Sequence, residues 1–218
     1  MTTVLCIDFD GTITNTDVLD ELIIHVKGRA YLSEWINNLI SKKILYPEYL
    51  HMVCEILNIG TLEFGSIETF VKTRNIIIDP MFEQLQILCA KHDIPLYIIS
   101  GNFKKIIQLF VNHPHENILA HDYFICNDKI IECYDNSIDP KSMYINTYFP
   151  SDKYNVVYIG EGTSDISVVN NCNVKHMFAK KNYSLARRCD EKNYAYIPFD
   201  NLSDVVNIIT NHFSSAQF

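Results

Sequence analysis

Val4-Leu5-Cys6-Ile7-Asp8-Phe9-Asp10-Gly11-Thr12-Ile13-Thr14 is the stretch that decides the reading of this chain. Val4–Phe9 is a short apolar run ending among acids, the form of a strand buried on both faces of a parallel sheet. Pro95–Ser100 and Tyr154–Gly160 have the same form, end in polar or glycine residues, and are each followed by a helical pattern. Lys175–Ala179 and Tyr194–Pro198 are two more expected strands. Strands alternating with helices predict an α/β fold, a Rossmann-like core with a mainly parallel sheet.

Between the first two strands the pattern is helical throughout, over Val18–Val26, Tyr31–Ile40, Pro47–Leu57 and Ile67–Lys72. Pro47 suits the first turn of a helix, and Gly60 and Gly65 read as a loop. A crossover of ~60 residues is long beside the ≈ 30 residues of a whole βαβ unit. The expectation is therefore an inserted all-helical cap at 15–80 and a core formed by 1–14 and 81–218. Tyr123–Tyr134 places two apolar runs around Asn127-Asp128, which predicts a β-hairpin. The last residues, 213–218, read as a frayed end.

Composition narrows the function. A net charge of −8 over 218 residues argues against nonspecific nucleic-acid binding and against docking on anionic membrane. The seven cysteines are scattered and odd in number, so they read as free thiols. No apolar run reaches the ~20 residues that span a bilayer. The expectation is a cytoplasmic protein, monomer or homodimer, whose partner is a small molecule.

Ligands of open α/β sheets bind beyond the carboxyl ends of the strands. Three strands deliver polar residues there: Asp8 to Thr12, then Ser100-Gly101-Asn102, then Gly160-Glu161-Gly162-Thr163-Ser164-Asp165. Four carboxylates converging on one crevice repel, each pair by roughly 4 kcal/mol at ~4 Å and an effective dielectric of ~20. Something positive must answer them. Carboxylate and carbonyl oxygens favour a hard cation such as Mg²⁺ over zinc, and Lys141 is the cationic side chain upstream of the third strand. His113-Pro114-His115 reads as a surface loop, with a metal site as the lesser alternative, and Trp35, Tyr46 and Tyr49 read as packing residues, or one of them as a lining of the substrate pocket.

These motifs, in this order, resemble the haloacid dehalogenase-like phosphatase superfamily. Asp8-Phe9-Asp10-Gly11-Thr12-Ile13-Thr14 is similar to its first motif, Ile98–Asn102 to its second, Lys141 to its third, and Gly160–Asp165 to its fourth. The helical insert resembles its first cap type. The hairpin resembles the branch containing phosphoserine phosphatases, and the opening residues also resemble the phosphatase of methionine salvage. The resemblance implies hydrolysis of a small phosphorylated metabolite through an aspartyl-phosphate. Asp8 is the implied nucleophile, Asp10 the acid/base and Lys141 the neutralising cation. The implied phosphate contacts are Phe9, Thr12, Ser100, Gly101 and Lys141. The implied Mg²⁺ ligands come from Asp8, Asp10, Glu161 and Asp165, with Asp165 mainly behind the others. A phosphoryl transferase with the same intermediate and a silent phosphate-binding scaffold are the alternatives.

Glu161 departs from the pattern, which has Asp there. Magnesium demands near-ideal octahedral geometry, and the longer arm bends to fit, reaches through water, or leaves the metal to Asp165. The phosphoserine branch places an arginine on a cap helix for the substrate carboxylate, and Pro47–Leu57 offers His51 and Glu55 instead. Asp17 reads either as a helix N-cap or as a substrate contact.

Overall fold

The computed structural model describes residues 1–126, 129–133, 140–171 and 173–214. In chain order it has β1 (Thr2–Ile7), then helices α1 (Val18–Lys27), α2 (Arg29–Ile40), α3 (Tyr46–Phe64), α4 (Ile67–Lys72) and α5 (Met81–Lys91). After these come β2 (Leu96–Phe103), the short α6 (Lys104–Ile107), β3 (Ile118–Cys126), β4 (Lys129–Cys133) and α7 (Pro140–Tyr148). The chain closes with β5 (Tyr154–Gly160), β6 (Val174–Lys180), α8 (Ser184–Lys192), β7 (Ile197–Phe199) and α9 (Leu202–Ser214).

The seven strands form a sheet of order β4-β3-β2-β1-β5-β6-β7. Among the described residues, β3–β4 is the only antiparallel pair of this sheet. β1 lies between β2 and β5, which is why its run is apolar on both faces. Alternate residues serve two layers. Leu5 and Ile7 pack with Phe82 of α5 and Val205 of α9, whereas Val4 and Cys6 pack with Ile145 of α7 and Leu185 of α8.

The chain leaves and re-enters the core through a two-stranded stem. Thr14 bridges Ile78, Asn15 N–H donates to the Ile77 carbonyl (2.9 Å), and Asp79 N–H donates to the Ile13 carbonyl (2.8 Å). The elements between these ends are the helices α1 to α4, packed through Leu22, Ile23, Leu50, Leu57 and Phe70. Glu48 accepts from Leu45 N–H (2.6 Å) at the start of α3, beside Pro47 in its first turn.

Two expectations are corrected. Gly60 lies inside α3, not in a loop, because Phe70 packs so closely that a Cβ there would stand 2.3 Å from its ring; only Gly65, left-handed at φ 79°, ends the helix. The last strand is shorter than Tyr194–Pro198 and shifted, at Ile197–Phe199. The expected hairpin is present, Asp122–Cys126 pairing antiparallel with β4, and its first strand begins earlier, where Ile118 and Leu119 pair with β2. Its turn, Asn127-Asp128, and Tyr134 lie outside the described residues, as do 215–218. Among the described residues no helix is long and apolar enough to cross a membrane.

Candidate active site

β1 ends at Ile7, so Asp8 and Asp10 do not sit on a flat strand. The chain turns at once: the Phe9 carbonyl accepts from the N–H groups of Ile13 (2.9 Å) and Thr14 (3.0 Å) and from the Thr14 hydroxyl (3.2 Å). Gly11 takes φ +72°, a left-handed conformation that glycine adopts without a side-chain clash. This turn presents both acids at the carboxyl edge of the sheet.

Asp8 is 3% exposed, and one of its oxygens is held twice. Oδ1 accepts from its neighbour Phe9 N–H (2.8 Å) and from Lys141 Nζ (2.6 Å). Among the described residues, Oδ2 carries no hydrogen bond. Lys141 also binds Asp165 Oδ1 at 2.6 Å, so it bridges two carboxylates while itself only 2% exposed. Burial alone would pull the Lys141 ammonium down; Asp165 and Asp8 reverse that and hold it protonated. Burial and the Asp165 charge push Asp8 above the ordinary carboxylate range, with Lys141 opposing them.

Asp165 is saturated by the protein. Tyr158 donates to Oδ1 (2.5 Å) beside Lys141, while the N–H groups of Glu161 (2.9 Å) and Gly162 (2.8 Å) donate to Oδ2. It is fully buried. Its two oxygens take four donors from the protein itself. Its position anchors Lys141 and the loop carrying Glu161.

Glu161 reaches the first motif. A Cβ on Gly11 would stand 2.5 Å from Glu161 Oε1, so the glutamate lies directly against the Gly11 backbone. Burial and Asp165 raise its carboxyl to about 7, while Lys180 and Lys141 lower it. Lys180 Nζ donates to the Gly11 carbonyl at 2.8 Å, and nothing in the sequence pattern had singled it out. Among the described residues there is no group of three or more His, Cys, Asp or Glu side chains placed to hold a metal.

Asp10 faces the second motif. β2 bulges between Ile99 and Phe103, setting Ser100, Gly101 and Asn102 against the single Ala120 of β3. The bulge turns Ser100 and Asn102 toward Asp10. Ser100 Oγ donates to Oδ2 (3.3 Å), and Asn102 Nδ2 lies 3.2 Å and 3.1 Å from the two oxygens. Val18 N–H, at the start of α1, donates to Oδ1 (2.9 Å). Burial and Asp17 push the Asp10 carboxyl well up; Val18, Asn102 and Lys141 oppose. Asn102 was missed as a site residue, although its place two residues after Ser100 on one strand face was the signal.

The remaining candidates divide. Asp17 caps α1, accepting from Asp20 N–H (2.9 Å), and its charge still reaches Asp10. His51 points away on the solvent side of α3, 69% exposed and 3.7 Å from Glu55, so the structure does not bring it to the site. The Thr12 hydroxyl is buried without a hydrogen-bond partner among the described residues. Thr12 lines a cavity of about 300 Å³ with Asp79, Lys180 and Asn201, a lining that none of Phe9, Ser100, Gly101 or Lys141 shares. His113 is occupied structurally, its Nε2 3.0 Å from the Leu96 carbonyl. Tyr46, read as a packing residue, extends its hydroxyl to within 3.4 Å of the Gly101 carbonyl.

No family model matches the chain. Pdp3-interacting factor 1 of Schizosaccharomyces pombe is 25% identical, over 96% of this chain and 95% of that protein. The 2-hydroxy-3-keto-5-methylthiopentenyl-1-phosphate phosphatase of Lysinibacillus sphaericus is 24% identical, over 97% and 98%. Among solved structures, a phosphoserine phosphohydrolase-like protein from Francisella tularensis superposes with a TM-score of 0.67 at 20% identity, covering 96% of this chain and 100% of that one. A phospho-aspartyl intermediate analogue of phosphoserine phosphatase superposes with a TM-score of 0.67 at 16% identity, over 95% and 98%. The chain therefore has their fold, and it resembles the haloacid dehalogenase-like phosphatases in fold and in the order of its motifs.

Proposed function

We propose that the chain is a phosphoric monoester hydrolase that acts through a covalent phosphate on Asp8 and depends on Mg²⁺. The observation that carries this reading is the asymmetry of Asp8. Oδ1 is pinned by Lys141 and Phe9 N–H, and Oδ2 is left without a described hydrogen bond, beside a second carboxyl held by Ser100 and Asn102.

In the first half-reaction, Asp8 Oδ2 forms a bond to phosphorus as the ester P–O bond breaks. Asp10 gives its proton to the departing alkoxide. Its raised proton affinity suits that task, since burial makes the carboxyl hold a proton more readily than an exposed aspartate does. In the second half, Asp10 takes a proton from water. The water oxygen bonds to phosphorus and the acyl-phosphate P–O bond breaks, restoring Asp8. Splitting one displacement into two is the gain from covalent catalysis. Lys141 stays charged throughout and offsets the oxygens of the transferring group.

The donor set fits a hard divalent cation. The Asp8 carboxylate, the main-chain carbonyl of Asp10 and Glu161 are all oxygen donors, and Glu161 already lies over Gly11. Bound there, Mg²⁺ would supply charge neutralisation at the phosphoryl oxygens. We place Glu161, not Asp165, as the carboxylate that the fourth motif lends to it. The helices α1 to α4, carried on the Thr14–Ile78 stem, form the proposed cap over Asp8, excluding water when closed. The proposed substrate is a small phosphorylated metabolite.

The test is phosphate release from p-nitrophenyl phosphate by the purified protein with Mg²⁺, with EDTA, and as Asp8→Asn. The expected result is release that EDTA abolishes and that Asp8→Asn lowers by about a thousandfold or more. Release of equal size from Asp8→Asn would remove the covalent mechanism.

A further inference from the structure

Resting on that reading, we infer that the site takes the monoester of an alcohol lacking a carboxylate, uncharged or amine-bearing, and that Tyr46 and Tyr49 set this preference. Tyr46 begins α3 and crosses to the core. Its hydroxyl is 3.4 Å from the Gly101 carbonyl and 3.2 Å from His121 Nε2, and its ring stands 5.6 Å from that of His121. Gly101 lies between Ser100 and Asn102, the two residues that hold Asp10. The phenol therefore stands beside the group that protonates the leaving oxygen, where the alcohol part of an ester must lie. Tyr49 stacks on Tyr46 with centroids 6.2 Å apart.

The charges of this wall are negative. Asp17 caps the helix whose first N–H binds Asp10, and Asp17 and Asp20 lie close enough to Tyr49 to hold its hydroxyl up beyond the effect of burial. Residues 17–80 contain six cations: Lys27, Arg29, Lys42, Lys43, Lys72 and Arg74. Five are exposed, and Arg74 is bonded to His25 and Thr73. Arg29 offsets Asp20 from its exposed place at the start of α2. A carboxylate on the leaving group would meet Asp17 without a cation of these helices beside it, and like charges juxtaposed in a site are strongly unfavourable. An ammonium would gain from Asp17 and from the ring faces, and an uncharged alcohol would pack against the rings.

O-phosphoethanolamine and O-phosphoserine differ only by the carboxylate, so their comparison isolates it. Each is measured as a competitor of p-nitrophenyl phosphate hydrolysis by the wild-type protein with Mg²⁺, which reports binding whether or not the competitor is turned over. The expected result is that O-phosphoethanolamine competes at least about tenfold more strongly, and that Tyr49→Arg narrows the ratio by strengthening O-phosphoserine. Equal or stronger competition by O-phosphoserine would overturn the inference, as would no competition by either. Failure of the phosphatase reading looks different, because p-nitrophenyl phosphate itself would then not be hydrolysed.

Discussion

Beneath Asp8, each buried charge meets an opposite charge or a hydrogen-bond donor: Lys141 bridges Asp8 and Asp165, and Tyr158 with two main-chain N–H groups completes Asp165. On the facing wall built by α1 and α3, Asp17 and Asp20 carry raised proton affinities and are met by two tyrosine rings and a distant arginine. The first region is complete as it stands. The second holds acids whose charge is only partly answered. The difference assigns the tasks: the compensated network fixes the reacting group in place, and the uncompensated wall does the choosing, because a ligand supplies what it lacks.

Lys141→Met strikes the compensated side and has the largest expected effect. It leaves Asp8 and Asp165 buried and facing each other without their cation. Breaking a buried ion pair from one side costs about 3–5 kcal/mol. Denaturant unfolding measures this, and a loss under about 1 kcal/mol would mean the network is not held by its charges.

Gly11→Ala tests the seam between the first and fourth motifs. The new methyl would stand 2.5 Å from Glu161 Oε1, on a residue whose φ of +72° already disfavours a side chain. The glutamate must move. Calorimetric titration with Mg²⁺ is expected to show affinity weakened by about tenfold or more, the scale seen when a ligand loses its support. Unchanged affinity would take Glu161 out of the metal site.

Asp20→Asn probes the uncompensated side with the smallest effect. Burial, then Asp17 and Glu21, raise the Asp20 carboxyl from 3.8 to about 7, and Arg29 opposes. The folded state therefore binds a proton that the unfolded state releases, and stability falls as pH rises between these values. Removing the charge is expected to stabilise the fold at about pH 8 by the order of 1 kcal/mol, after discounting for solvent, and to do nothing below about pH 4. Stabilisation of equal size at both pH values would show a packing effect instead.

The core was legible in the sequence because its signals are local. An apolar run between two neighbouring strands cannot be polar on either face, so Val4–Ile7, Ile98–Ile99 and Val156–Ile159 announced the sheet. Asp8, Asp10 and Glu161 followed, since each stands just beyond a strand end, and Ser100 followed because it closes the apolar run of β2. What was illegible depends on distance in sequence. That Asp165 is consumed by Tyr158 and Lys141 is a matter of hydrogen-bond saturation, which spacing does not carry. Lys180 stands next to Lys181 outside every motif, and only the path of β6 brings it to Gly11. Tyr46 meets Gly101 across 55 positions, and an aromatic at helical spacing reads first as core. His51 failed for a related reason: its spacing on α3 places it opposite the face that Tyr46 and Leu50 turn inward.

The most direct test is to look for the phosphate on Asp8. The protein is mixed with p-nitrophenyl phosphate and Mg²⁺, quenched in acid during turnover, digested, and its peptides weighed. The result predicted is a phosphoryl group on the peptide that carries Asp8, removed by hydroxylamine as an acyl-phosphate is and missing from Asp8→Asn. Turnover with that peptide unmodified, or with the phosphoryl group on another residue, would contradict the account.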